Sequence, residues 1–378
     1  MDDTVKTKGE AELADMLQKS LKINRYLIVL DDIWSCEVWD GVRLCFPTED
    51  NAESRILLTT RNNKVACYAG TESISMQMDF MDQDESWKLF KSAAFSSEAL
   101  PYEFETVGKQ IADDCHGLPL TIVVVAGLLK SERAIEDWKS VGKDVTSFIT
   151  NDPDEQCSRV LGLSYIHLTS NLKTCLLHFG IFPEDSEIPV KNLMRSWMAE
   201  GFLKFENDLE GVAEKCLQEL VDRCLVLICK KSLDGTKIRI MALLTPLHRQ
   251  LRDHDNNDIL KRTRSIFSFR LKDSDFILKS ELIHFKLLKV LELRHRQIDN
   301  FPLQILSLIW LRYLSLQCSE NLDIPPEICR LWNLQTFIVQ VLYQPVKITC
   351  PEEIWGLMQL RHLKLPEFYL PNPPKRIC

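Results

Sequence analysis

The 378-residue sequence lacks any run of about 18 apolar residues, the length a membrane-spanning helix requires. Its longest nearly unbroken apolar stretch, "LPLTIVVVAGLL" at 118–129, is too short to span and reads as a buried helix. It is not rich in glycine or proline, at 13 and 16 residues, which sets it apart from collagen-like and low-complexity chains. There is no CxxC pair, and the 13 cysteines are scattered and odd in number. They read as small, reduced, mostly buried hydrophobes rather than disulfides or metal ligands. The eight histidines show no HExxH spacing, and no GxSxG occurs, so neither a zinc peptidase nor a serine hydrolase is indicated. The start, "MDDTVKTKGEAELADM", is polar and acidic, unlike a secretory leader. What is present is 45% hydrophobic and 26% charged residues, the balance of a globular protein with room for two to four domains.

The net charge of −8 is unevenly spread. Residues 259–378 hold 17 Lys+Arg against 11 Asp+Glu, and residues 1–258 hold the other 29 against 43. An acidic front and a basic back attract one another, so an intramolecular contact between them is expected.

Leu13, Met16, Leu17 and Leu21 recur at helical spacing in "AELADMLQKSLK". "RYLIVLDD" (25–32) and "SRILLTTR" (54–61) follow as apolar strands of the kind found in a parallel sheet covered on both faces. From Asp82 the pattern turns helical: "DQDESWKLFKSAAF", then "EFETVGKQIADDCHGLPLTIVVVAGLL", with Pro119 suited to a first helical turn. Short helices continue over 158–205, broken at "FPEDSEIP". A helix over "GVAEKCLQELVDRCLV" then precedes two β-like runs around Asp234-Gly235, a hairpin signal. Helices followed by a small hairpin describe a winged helix. The tryptophans fall mostly on helical or repeat frames and read as packing residues.

The tail is repetitive. Leu288, Leu291 and Leu293 form an LxxLxL frame that returns at Leu311/Leu314/Leu316, Leu334/Phe337/Val339 and Leu360/Leu363/Leu365, at offsets of 23, 23 and 26 residues. "FPLQILSL", "IPPEICRL" and "CPEEIWGL" keep step with it. That period belongs to leucine-rich repeats. The residues flanking each repeat strand, Glu292, Arg294, Tyr313, Ser315, Gln317, Ile338, Gln340, His362 and Lys364, are expected to be exposed on a concave binding face.

Chemistry is signalled at one place. "RYLIVLDDIW" has the shape of a strand that delivers a carboxylate to a nucleotide's Mg²⁺, and Arg61 ends the next strand where an arginine can pair with a terminal phosphate. Each has a plainer alternative: Asp also favours helix caps, and Arg61 also suits a strand-edge surface charge. The matching GxxxxGK[ST] phosphate loop is not found. Gly-Lys occurs only at 108–109 and 142–143, with Glu103 and Asp137 where the first glycine belongs. Without three or more charge-assisted bonds of about 1.5–3 kcal/mol each, nucleotide affinity falls by at least about a thousandfold.

The ordered motifs "RYLIVLDDIW", "SRILLTTRNNKVA", "CHGLPL", "CLLHFGIFPEDSEIPVKNLMRSWMAEGF" and the leucine-rich repeats resemble the nucleotide-binding (NB-ARC), leucine-rich-repeat class of plant disease-resistance proteins. "DDIW" is similar to their coiled-coil branch, and "AEKCLQELVDRCLVLICKKSLDG" to late blight resistance proteins. The resemblance implies Mg²⁺ on Asp31, a catalytic or second-carboxylate role for Asp32, a phosphate-sensing Arg61, and Gly117, Leu118 and Pro119 lining the adenine side of an ADP/ATP site. It implies a multidomain fold. A partial α/β P-loop-type parallel sheet over 1–78 is followed by a helical domain over 79–150, a winged helix over 151–258 and a leucine-rich-repeat solenoid over 259–378.

The family's coiled coil, first strand and Walker A loop are missing, which implies a chain beginning partway through the nucleotide domain. Where the family has Met-His-Asp, Met241, Ala242 and Leu243 stand. His248 belongs to the following helix. The function this implies is that of an immune-receptor fragment in a cytoplasmic or peripheral-membrane setting, with an ancestral ADP/ATP switch impaired and hydrolysis not expected. Its partners would be proteins, a pathogen effector or a guarded host protein met through the repeats, and not nucleic acid, which an acidic front half disfavours. The alternative is a fully working ATP/ADP-switched receptor whose coiled coil and P-loop are missing from the gene model.

Overall fold

The computed structural model describes residues 9–22, 24–47, 53–70, 75–95, 102–130, 134–148, 150, 152–183, 186–203, 208–232, 238–243, 263–267, 282, 285–298, 300–341 and 346–373. The chain divides into two units, Met1–Asp79 and Phe80–Cys378.

The first unit holds α1 (Glu10–Leu21), β1 (Leu27–Leu30), α2 (Cys36–Arg43), β2 (Arg55–Leu58) and α3 (Asn63–Ala69). The strands pair in parallel, Leu27 with Arg55 through Leu30 with Leu58. Ser35 caps α2 and Asn62 caps α3, each side-chain oxygen accepting a first-turn N–H. The expectation that both strands are covered on both faces is not met. Leu27 is 69% exposed and Leu57 54% exposed, while Ile28 and Leu30 are half-buried. A sheet with two described strands has too few neighbours to cover its faces, whatever its apolar content. The stripe on α1 is likewise open, with Met16 and Leu17 exposed.

The second unit begins with a helical stack: α4 (Gln83–Ala94), α5 (Tyr102–Asp114), α6 (Pro119–Leu129), α7 (Ile135–Ser147), α8 (Pro153–Ile166) and α9 (Ser170–Leu177). Asp82 and Glu85 form a capping box on α4, and Asp152 caps α8 ahead of Pro153. α6 is the apolar run expected to be a buried helix; it is apolar on every side and starts at Pro119. Trp138 of α7 is fully buried, packed edge-on against Phe90 and Phe104 and stacked on Phe95. Where α6 meets the end of a later helix there is no room for a side chain: a Cβ on Gly127 would lie 2.6 Å from the Arg223 carbonyl carbon.

Next come β3 (Ile188–Pro189), α10 (Val190–Glu200), α11 (Leu209–Asp222), β4 (Val226–Lys231) and β5 (Ile238–Leu243). The strands form an antiparallel sheet in the order β3-β5-β4. α10 ends at Gly201, whose φ of 80° is open to glycine at low cost. The Asp234-Gly235 turn and His248 lie outside the described residues, as do the side chains of Met241, Ala242 and Leu243.

The C-terminal part holds β6 (Ser265–Phe267), β7 (Val290–Ile298), β8 (Tyr313–Cys318), β9 (Leu322–Asp323), β10 (Thr336–Val341), β11 (Lys347–Thr349), β12 (His362–Lys364) and β13 (Glu367–Tyr369). One parallel sheet runs β12-β10-β8-β7-β6 and a second runs β13-β11-β9. The register places Leu291, Leu314, Phe337 and Leu363 side by side, the positions the repeat frame aligns. β6 adds a further strand, pairing Ile266 with Leu291, that the LxxLxL frame does not mark. The three motifs that keep step with the frame become 3₁₀ turns at Leu303–Ser307, Pro326–Arg330 and Glu352–Gly356. Between turns and strands a core forms from Leu291, Leu314, Phe337, Ile305, Ile328 and Ile354.

The opposite face of the strands is where expectation and structure part. Glu292, Tyr313, Ser315, Gln317 and Ile338 are buried, not exposed; Gln340 and His362 are half-buried and Lys364 exposed. Arg294 has its side chain outside the described residues. The cause is α10, which packs across β7 and β8, so that Val290, Tyr313 and Ile338 join the core of the helices. Glu292 accepts from the Tyr313 hydroxyl at 2.8 Å and from Asn192 Nδ2 at 3.4 Å. The residues just before β7 and β8 reach the free carbonyls at the end of α10: Lys289 Nζ donates to Glu200 O at 2.8 Å and Arg312 Nη1 to Ala199 O at 3.4 Å. Cations there complement the helix dipole. The residues before and at the start of β12 continue the pattern, with Arg361 Nη1 3.9 Å and His362 Nε2 3.3 Å from the Glu210 carboxylate of α11. These contacts run from acidic front half to basic tail. Burial lowers the Lys289 pKa against the opposing pull of Glu200.

The tryptophans are only partly packing residues. Trp138 and Trp197 are buried, but Trp34, Trp310, Trp332 and Trp355 are exposed, the last three on turns between strands where no layer covers them.

Candidate functional site

β1 runs into Asp31 and Asp32, and β2 runs into Thr59, Thr60 and Arg61. The parallel register that pairs Leu30 with Leu58 carries one residue further, so Thr59 faces Asp31. Thr59 Oγ1 donates to Asp31 Oδ1 and accepts the Asp32 N–H at 2.9 Å, while Thr59 N donates to Leu30 O at 2.9 Å. Thr59 thereby orients the first carboxylate and fixes the turn after β1. Sequence reading passes over it, although a hydroxyl residue one place beyond a parallel pair is a signal that register alone supplies. Asp32 sits at φ 53°, in the left-handed region, and Ile33 N donates back to Thr59 O. Arg61 Nε lies 3.4 Å from Asp32 Oδ1, with both side chains more than half exposed. Such a pair is worth little to stability and leaves both groups accessible.

Asp31, Asp32 and Arg61 therefore gather at one edge of the β1–β2 pair. Asp31 and Asp32 present hard oxygen donors to solvent, the ligand type Mg²⁺ takes one or two of while keeping its waters. Arg61 beside them has the donor geometry for a phosphate. In residue type and placement these groups fit the metal and terminal-phosphate side of a nucleotide, where Asp31 and Asp32 would hold a cation that neutralises phosphate charge. Among the described residues no Gly-rich loop ends at a helix to cradle the remaining phosphates.

Gly117, Leu118 and Pro119 belong to the second unit. Gly117 is buried at φ 68°, and a Cβ there would lie 2.2 Å from Met81 O. Met81 N donates to Gly117 O at 3.0 Å. Gly117 is therefore required by a close backbone crossing between the loop before α6 and the segment before α4. Leu118 is the half-buried N-cap residue of α6 and Pro119 its exposed first residue. An open groove of about 520 Å³ beside α4 and α5 includes Asp84, Glu105 and Asp113 in its lining, and its carboxylates make it unsuited to phosphate. Among the described residues no His/Cys/Asp/Glu cluster could hold a metal ion on its own, and no helix is long and apolar enough to cross a membrane.

One buried histidine stands apart. His178 Nε2 lies 3.0 Å from Ser196 Oγ, which itself donates to Leu193 O at 2.7 Å. Phe182, Phe202 and Phe267 ring the imidazole, and burial pushes its pKa down to about 4.

Comparison with known proteins agrees with this geometry. Residues 1–100 match the NB-ARC domain and residues 181–247 match the disease resistance protein winged helix domain. NB-ARC domains are nucleotide-binding switches with weak ATPase activity at most. The late blight resistance protein R1-A of Solanum demissum is 34% identical over 94% of this chain, which covers 31% of that protein. The homologue R1B-16 from the same plant gives the same figures, and the homologue R1B-23 is 34% identical over 97% of the chain and 33% of its own length. The chain spans about a third of the length of these curated relatives. It carries an NB-ARC domain followed by a disease-resistance winged-helix domain, and along nearly its whole length it is similar to the late blight resistance proteins of Solanum demissum.

Proposed function

We propose that these 378 residues are part of a plant disease-resistance protein of the nucleotide-binding, leucine-rich-repeat class, acting in defence through protein–protein contacts. The observation that carries this reading is the edge of the β1–β2 pair, where Asp31, Asp32 and Arg61 gather inside the region matched as NB-ARC. In this reading Asp31 takes Mg²⁺, Asp32 is the second carboxylate, Arg61 senses the terminal phosphate of ADP or ATP, and Gly117, Leu118 and Pro119 border the base. The 23-, 23- and 26-residue register of β7, β8, β10 and β12 supports a leucine-rich-repeat solenoid over 259–378. The change of unit at Asp79 supports a nucleotide domain over 1–78, followed by a helical domain over 79–150 and a winged helix over 151–258. The packing of α10 across β7 and β8 favours a restraining role for the first strands of the array, and Lys364 of β12 stays exposed and open to a protein partner.

On their own these residues bind nucleotide weakly, because nothing in the sequence supplies the Gly-rich loop and its lysine. The Met-Ala-Leu at 241–243 offers no imidazole for a phosphate either. The test is a calorimetric titration of Mg·ADP into the chain and into Asp31→Ala. Millimolar or weaker binding, unchanged by the substitution, is expected. Micromolar binding that Asp31→Ala weakens tenfold or more would establish a working switch, the second reading, and refute impairment.

A further inference from the structure

α4 and α5 lie side by side in the second unit and border the open groove of about 520 Å³, a volume within the roughly 300–1,000 Å³ of ligand sites. One face of α5 supplies much of its lining. Tyr102, Glu105, Lys109 and Asp113 recur there at helical spacing: an aromatic ring, an acid, a base and a second acid. α4 adds Asp84 and Trp87. The Gln83 amide donates to Asp113 Oδ1 at 2.9 Å, which brings the first turn of α4, with Asp84, beside the last turn of α5.

Trp87 is held from two sides. It stacks on Phe90 with ring centroids 5.7 Å apart, and Gly108 leaves the indole room against α5, where a Cβ would lie 3.0 Å from it. The ring already carries a cation. Lys109 Nζ sits 5.7 Å from the ring centroid and 2.8 Å from Glu105 Oε1. Its hydrogen bond holds the Glu105 carboxyl below the usual carboxylate range. The protein's own ammonium thus shows which chemistry the groove accepts, positive charge on an indole face with a carboxylate beside it.

Lys109 pairs at the Glu105 end. At the other end stand two more carboxylates, Asp84 and Asp113, both exposed, where the C-terminal dipole of α5 adds negative potential. Three carboxylates against one ammonium leave the groove negative, and Tyr102, 82% exposed, gives it a second open aromatic ring. We propose that this groove docks an arginine-bearing segment of a partner protein, the guanidinium pairing with Asp84 and Asp113 and the stem lying along Trp87 and Tyr102. Arginine suits it because a planar fork pairs with carboxylates while its face stacks on an aromatic ring. The face from Tyr102 to Asp113 is about 16 Å long, room for about five residues of extended peptide. Nucleic acid is disfavoured there by the charge.

The test uses the full chain and a dye-labelled Gly-Arg-Gly-Arg-Gly peptide, read by fluorescence anisotropy. A second peptide carries citrulline for arginine, the same shape without the charge. Saturable binding of the arginine peptide below about 1 mM is expected, with the citrulline peptide at least about tenfold weaker. Asp84→Asn with Asp113→Asn should weaken binding by at least about tenfold. Glu352→Gln with Glu353→Gln removes the same charge from a repeat turn and should change it by less than about twofold. Tyr102→Ala should weaken binding, and Lys109→Gln should tighten it by clearing a competing ammonium from the ring. Equal binding of the two peptides by the wild-type chain overturns the proposal, whatever the variants do. So does the absence of saturable binding, or an equal loss in the two charge-removing variants, which would reduce the effect to overall charge.

Discussion

Two of the parallel sheets among the described residues, the β1–β2 pair and the five-stranded sheet that contains β8, are built from similar apolar strands and are buried to opposite degrees. In β2, Leu57 is 54% exposed, whereas in β8 every residue from Tyr313 to Cys318 is buried, the polar ones included. The composition of the strands does not explain this: "LIVL" is more apolar than "YLSLQC". The layers do. β8 has a core of 3₁₀ turns on one face and α10 on the other, while β1 and β2 have one described partner strand each. Apolar strand content states what a segment can bury, and the neighbouring layers decide what it does bury.

The comparison makes its largest prediction in the two strands themselves. Phe337→Ala in β10 removes a fully buried ring and should cost about 3–5 kcal/mol, whereas Leu57→Ala in β2 should cost less than about 1 kcal/mol. Urea unfolding of both variants checks this, and equal losses would break the contrast.

The next effect follows from His178. An unfolded imidazole titrates near its ordinary 6.5, and the folded one at about 4. Between those values the unfolded chain binds a proton that the folded chain refuses, so stability is complete above pH 6.5 and falls as pH drops toward 4. Across that window wild type should lose about 3 kcal/mol relative to His178→Phe. Parallel stability profiles for the two proteins would show that burial does not hold the imidazole neutral.

A smaller loss is expected at a helix crossing. Gly127→Ala forces α6 from the Arg223 backbone and should cost about 1–3 kcal/mol by overpacking. Gly162→Ala, where a Cβ meets nothing within 4 Å, should be neutral or stabilising by up to about 1 kcal/mol. Thermal melts of the pair read the difference. The smallest effect belongs to Arg361→Gln: its partly exposed pair with Glu210 should contribute less than about 1 kcal/mol and lose even that in high salt.

Much of the fold was legible where one period governs both sequence and structure. The LxxLxL frame gives the register of Leu291, Leu314, Phe337 and Leu363, and the apolar run at 118–129 gives α6. β6 was not legible, because three residues carry no period. The burial of Tyr313, Ser315 and Gln317 was illegible for another reason: polar residues alternating with leucines look like a solvated face unless a distant helix covers them, and α10 lies more than a hundred residues earlier. At the candidate site the carboxylates and Arg61 could be read from their positions at strand ends. Thr59 and the backbone crossing that requires Gly117 depend on pairing between segments, which a single sequence does not display.

In the proposed reading, Asp31, Asp32 and Arg61 form the metal and terminal-phosphate side of a nucleotide site, and these residues alone hold nucleotide weakly. Denaturing the purified 378-residue protein and quantifying released adenine nucleotide by chromatography tests it most directly. Far less than one ADP or ATP per chain is expected. One nucleotide per chain would contradict it.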